Sequence, residues 1–182
     1  MTERLIASTS NCNARDAERL VPHQPGYYAI FIDNADALRD PFRNMLKDQD
    51  SRLIYIGIAK RSLQTRLVKQ DLRHCAPSSF FRSLGAVLNY LPPPGSLIGR
   101  KNQNNYAFSS MDRRSIIQWI DQHLLVSWLC DYPALRLEEE RAIQALFPLM
   151  NLQSNPKCSP ELKLLRENCR AVAKQAPLAV GS

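Results

Sequence analysis

Two stretches decide the fold class: GYYAIFID at residues 26–33 and LIYIGI at residues 53–58. Each is apolar, aromatic and β-branched, too short for a helix, and bounded by Pro25, Asn34 or charged residues. Both read as strands covered on two faces. Between them lies NADALRDPFRNMLKDQDSR, whose polarity and Pro41 predict an exposed excursion with a single helical turn.

Outward from these strands the hydrophobic period lengthens. Residues 62–72, SLQTRLVKQDL, set Leu63 and Leu67 four apart behind Ser62, a residue suited to an N-cap, and read as a helix. Residues 78–90 repeat the pattern through Phe80, Phe81, Leu84, Val87 and Leu88 and stop before Pro92, Pro93 and Pro94. The polar, aperiodic run from Gly95 to Ser110 reads as a mobile loop, with Arg100 and Lys101 as substrate contacts. A helix is expected over 111–123 through Ile116, Ile117, Trp119 and Ile120, then a third strand over 124–131. Two amphipathic helices follow, over 134–147 and 160–174, the last presenting Leu162, Leu165 and Cys169 to the domain. Trp119 and Trp128 read as core. The fold class is therefore α/β, a small, mainly antiparallel three-stranded sheet flanked by helices.

A chain of 182 residues with 45% hydrophobic and 23% charged residues has the balance of one globular domain. The expected organisation is an N-terminal extension over 1–22, the domain over 23–175 and a flexible tail over 176–182. No apolar run is long enough for a membrane span, and the polar start lacks a signal-peptide core, so the expected compartment is cytoplasmic. Five cysteines, an odd number and far apart, without a CxxC pair or a His at zinc-finger spacing, argue against a disulfide framework or a structural zinc.

The charge is uneven. Lys and Arg number 24 against 17 Asp and Glu, a net +7. Between Gly57 and Met111 the bases are Lys60, Arg61, Arg66, Lys69, Arg73, Arg82, Arg100 and Lys101, and the one acid is Asp71. Eight minus one is the whole excess, a localised positive field suited to a polyanion such as nucleic acid.

LEEERAIQALFP, residues 137–148, carries three glutamates in a row, and helical spacing separates them. Leu135, Ala142, Ile143 and Leu146 form one stripe, and Glu139 falls in its middle. A carboxylate on an apolar stripe is costly unless it is paired, hydrogen-bonded or bound to a metal. A buried Glu to Arg ion pair and a metal ligand both meet that demand.

Taken together, Gly26-Tyr27-Tyr28, Tyr55-Ile56-Gly57, Arg66 on the next helix, and Glu139 with Ala142, Ile143, Pro148 and Asn151 behind it resemble the GIY-YIG nuclease superfamily, in the same order. SSFFRSLGAVL, QWIDQHLLVSW and PLMNLQSNP are similar to a bacterial subset of uncharacterised members. The chain departs from the pattern in having Tyr27 where Ile is usual and a longer excursion between the strands. The resemblance implies a metal-dependent endonuclease acting on DNA. It assigns Tyr28 as the base that deprotonates water, assisted by Tyr55, and Arg66 as the ligand of the scissile phosphate. Glu139 would hold one Mg²⁺ or Mn²⁺ at the leaving group, and Asn151 would hydrogen-bond within the site. His74 reads either as an auxiliary proton carrier or as a helix-end residue. Tyr28, Tyr55, Arg66 and Glu139 should then line one cleft, flanked by Lys60, Arg61, Lys69, Arg73, Arg82, Arg100 and Lys101. The alternative is a catalytically silent nucleic-acid-binding module of the same fold.

Overall fold

The structure, a computed structural model, describes residues 11–130 and 136–176. Leu135 of the expected stripe lies outside the described residues, as do the first part of the expected extension and nearly all of the expected tail.

Four antiparallel strands form one sheet in the order β1-β4-β2-β3. They are β1 (Asn11–Asn13), β2 (Gly26–Ile32), β3 (Leu53–Ala59) and β4 (Leu124–Leu129). The three expected strands form the centre and one edge. The fourth, missed in the sequence, comes from the expected extension: β1 pairs with β4 through Asn11↔Ser127 and Asn13↔Leu125. Its sequence, Asn-Cys-Asn, has no apolar alternation to announce it. The turn and helix that follow, Ala14–Asp16 and α1 (Ala17–Leu20), bury Ala14 and Ala17 completely.

Strands β2 and β3 pair in the register Tyr28↔Gly57 and Ala29↔Ile56, so the excursion between them returns as a long antiparallel connection. Two glycines of the motifs are required by close approach. A Cβ on Gly57 would stand 2.3 Å from Cζ and Oη of Tyr28, and one on Gly26 would stand 2.1 Å from the backbone oxygen of Leu129. The register shifts between Ile30 and Phe31, where Ile30 faces Tyr55 and Phe31 faces Leu53, leaving Ile54 as the extra residue of a bulge.

Alternation along the strands creates two cores. The larger holds Tyr28, Ile30, Ile32 and Tyr55 with the helices of residues 62–123 and the C-terminal helix. The smaller joins Tyr27, Ala29, Leu53 and Ile56 to Ala142 and Ile143. These last two residues belong to α5 (Arg136–Leu146), which packs on the face opposite Tyr28 and Tyr55.

The excursion is less exposed than its composition predicts. Leu38, Phe42 and Leu46 recur every four residues and are buried, the last two on α2 (Phe42–Asp48). Residues 64–72 form a helix of the wider π type, with the Arg73 amide donating to the carbonyl of Val68 five residues back at 3.0 Å. Ser62 still caps it, accepting from the Thr65 amide at 3.2 Å. Helix α3 (Ser79–Val87) is capped by Ser78, and α4 (Ser110–His123) by Ser109. The expected mobile loop between them is pinned by buried Leu97, Tyr106 and Phe108, and the Leu97 amide donates to Ala173 O at 3.1 Å. That carbonyl lies on α6 (Pro160–Lys174), which packs against α3 and buries Leu162 and Cys169. Both tryptophans are partly buried against the larger core. Among the described residues no helix is long and apolar enough to cross a membrane.

Candidate active site

Because β3 is an edge strand, residues from both faces of the sheet can meet around it. A cleft of about 590 Å³ lies there, and its lining includes Tyr55, Lys60, Arg66, Arg82, Glu139 and Asn151. Glu139 thus reaches the cleft from α5, on the smaller core, while Tyr55 and Arg66 enter from the other side. Six residues singled out in the sequence are brought together.

Tyr28 is placed differently. It is 0% exposed and lies beneath the cleft, with its hydroxyl donating to Oδ2 of Asp71 at 2.5 Å. Arg66 Nη1 and Ser78 Oγ donate to the other oxygen of Asp71 at 2.5 and 2.6 Å. The sequence singled out neither Asp71 nor Ser78. Asp71 was legible only as the lone acid in a basic segment, and Ser78 only as the start of a helical stretch. Burial, followed by the charge of Asp71, pushes the Tyr28 hydroxyl well above its ordinary value. Burial does the same to Tyr55, whose ring centroid lies 6.3 Å from that of Tyr28. Burial works most strongly against the charge of Arg66, but Asp71 together with Tyr28 and Tyr55 outweighs it, so Arg66 stays charged, and its side chain keeps 29% exposure toward solvent.

On α5 the three glutamates divide as their spacing predicts. Glu138 pairs with Arg141 and Glu140 with Arg136, each at 2.9 Å. Glu139 has no Lys or Arg within ion-pair distance among the described residues, which removes the ion-pair reading. Burial raises its carboxyl to about 7, with Arg66 and Arg136 pulling the other way. No cluster of three or more His, Cys, Asp or Glu ligands exists among the described residues. Glu140 also lines the cleft but is paired with Arg136, so a cation here would rest on Glu139. Magnesium accepts that arrangement, since it keeps several waters and takes phosphate oxygens as further ligands.

Asn151 serves the edge of β3. Its Oδ1 accepts from the Ile56 amide and its Nδ2 donates to Ile56 O, both at 2.9 Å, while the Met150 amide donates to Ile54 O at 2.8 Å. The side chain completes pairing that an edge strand otherwise leaves open. In doing so it holds the end of α5, and hence Glu139, against the YIG strand.

The remaining candidates scatter. His74 lies in a separate cavity with Arg100 and Arg113, stacked on Phe81 at 4.3 Å between centroids, and burial lowers it to about 4. Arg73 is turned to the far side, paired with Asp121 at 2.9 Å and bonded to Ala14 O at 3.2 Å. Arg61 lines a shallow pocket that shares Lys60 and Arg66 with the cleft. Lys69 and Lys101 are exposed outside the cleft lining. The loop contributes Asn102, Asn104 and Asn105 to the cleft rather than its cations. Arg166 and Arg170 of α6 also line it and were not singled out in the sequence.

Comparison with curated proteins and with solved structures gives no match. Comparison with protein families gives one over residues 26–168, which spans both tyrosine motifs, the π-helix, α5 and most of α6. The antiparallel sheet, the paired tyrosines and the carboxylate brought around its edge agree with that match, and the chain belongs to the family of the GIY-YIG catalytic domain, a nuclease domain.

Proposed function

We propose that the chain is a cytoplasmic endonuclease that hydrolyses DNA phosphodiester bonds with one divalent cation, Mg²⁺ or Mn²⁺. The observation that carries this reading is Glu139, a carboxylate without a cationic partner among the described residues, facing Arg66 and Tyr55 across one cleft. A cation held by Glu139 would neutralise charge on the departing 3′-oxygen.

Every other role falls to side chains. Arg66 binds the scissile phosphate, and its guanidinium is already at the cleft wall with part of its surface open. Turning toward the phosphate frees it from Asp71 and opens the way to the Tyr28 hydroxyl. The attacking water gives a proton to Tyr28 Oη while the Tyr28 proton moves to the Asp71 carboxylate, to which it is already hydrogen-bonded. Tyrosinate then never has to accumulate, which matters because burial disfavours it strongly at neutral pH. Tyr55, at the cleft surface, orients the water.

Burial of Tyr28, like the fold and the basic residues, is a feature that a silent binding module would also display. A cleavage assay decides between them. Linear, nicked, flapped and four-way DNA are incubated with the protein, with and without Mg²⁺ or Mn²⁺. Cation-dependent cleavage is expected, falling by about a hundredfold or more in Glu139→Gln. Binding without cleavage of any substrate with either cation would make the chain a binding module.

A further inference from the structure

Arg82 on α3 and Arg166 on α6 stand in the wall of the cleft with exposures of only 6% and 5%. Among the described residues neither has a carboxylate within ion-pair distance. Arg166 Nη1 donates to Ser79 O and Ser83 Oγ, both at 2.9 Å. Nε and Nη1 of Arg82 and Nε of Arg166 are buried without a hydrogen-bond partner. Both guanidinium carbons lie near one aromatic ring, 5.9 and 5.5 Å from the centroid of Tyr106.

Two buried cations that repel each other and share one ring are an unbalanced arrangement. The ring offsets part of the cost. Desolvation and repulsion remain, and they lower Arg82 to about 10, burial first and Arg166 next. Asp71, the one carboxylate whose charge acts appreciably on Arg82, already holds Arg66. The missing charge has to come from outside the chain, and the planar guanidinium fork fits phosphate oxygens.

We propose that Arg82 and Arg166 form a phosphate subsite distinct from Arg66, which holds an internal phosphate of the nucleic-acid strand next to the one being cut. That the phosphate belongs to a strand rests on the nuclease reading; that the pair takes a phosphate rests on these two residues alone.

Inorganic phosphate is the first probe, added at ionic strength held constant with chloride. It should raise the melting temperature of the wild type and of Glu139→Gln, and leave Arg82→Met unmoved, since Arg66 is already held by Asp71 in the free protein. Without phosphate, Arg82→Met should melt no lower than the wild type, because it relieves a buried repulsion. An Arg82→Met variant that unfolds, melts lower without phosphate or keeps the phosphate response overturns the subsite. The second probe is one DNA oligonucleotide made with a 5′-hydroxyl and with a 5′-phosphate. Arg82→Met should weaken both equally, by about tenfold or more. A loss confined to the phosphorylated form would make this a site for a terminal monoester and overturn the internal assignment. A phosphate response in a protein that cleaves no DNA would keep the subsite and remove the nuclease reading.

Discussion

Arg66 and Asp71 stand five residues apart on one helix, yet their side chains meet, Nη1 to Oδ1, at 2.5 Å. An ordinary α-helix of about 3.6 residues per turn would point them well apart. The π-helix of residues 64–72 makes the contact possible, since its bonds reach from one residue to the fifth beyond. Its wider turn places one carboxylate between Arg66 and the Tyr28 hydroxyl, so on the proposed mechanism phosphate binding and proton removal would share a single group.

Asp71→Asn tests this junction. It leaves the Arg66 guanidinium without its counter-charge in a largely buried position, which should cost about 3 to 5 kcal/mol and lower the melting temperature clearly. The Tyr28 hydroxyl should titrate at lower pH than in the wild type, because the charge of Asp71 is second only to burial in raising it. Carbon-13 NMR of tyrosine Cζ reads that shift. An unchanged melting temperature together with an unchanged Tyr28 titration would detach Asp71 from the site.

Gly57→Ala should damage the same junction by crowding. The added methyl would stand 2.3 Å from Cζ and Oη of Tyr28, whose ring is fully buried and has nowhere to retreat. Overpacking of this kind costs about 1 to 3 kcal/mol, and displacement of Tyr28 from Asp71 should reduce cleavage further than the stability loss explains. Denaturation and cleavage measured on one preparation separate the two effects.

Legibility followed the strength of each local signal. The three strands with apolar faces were readable from their short apolar, β-branched runs and bounding residues, and Glu139 from a charge that interrupts a helical stripe. That second test, applied to the last helix, also finds Arg166, which sits among buried Leu162, Cys169 and Ala173. The meeting of Arg66 with Asp71 was not readable, because any helical reading assumes the α period. Strand β1 was not readable either, since three polar-flanked residues become a strand only when β4 offers them a free edge. The run from Gly95 to Ser110 looked mobile because Leu97, Tyr106 and Phe108 have no period, although each fills a place in the core.

DNA binding should weaken as salt rises, with a log-log slope of about 0.9 for each phosphate neutralised. Lys60→Ala and Arg82→Met should reduce that slope, since both residues line the cleft. Arg73→Ala should leave it unchanged and lower stability instead, because Arg73 is committed to Asp121 and Ala14. A slope near zero for the wild type would remove nucleic acid as partner, and a slope reduced by Arg73→Ala alone would put the binding face on the other side of the molecule.

The pH dependence of Glu139 separates a cation ligand from a structural carboxylate. Its ordinary value is 4.5 and burial raises it to about 7, so its charged form is disfavoured by folding. Its contribution to stability is therefore complete below pH 4.5 and lost as pH rises toward 7. Glu139→Gln cannot ionise, so it should melt above the wild type at pH 8 and close to it at pH 4.5. Adding Mg²⁺ at pH 8 should raise the melting temperature of the wild type and leave the variant unmoved, because binding the cation replaces the proton. Cleavage by the wild type should rise through pH 7 at limiting Mg²⁺, and its midpoint should move to lower pH as Mg²⁺ is increased. A variant that melts well below the wild type at pH 8 would show that Glu139 is held by an internal partner, and its place as the cation ligand would be lost.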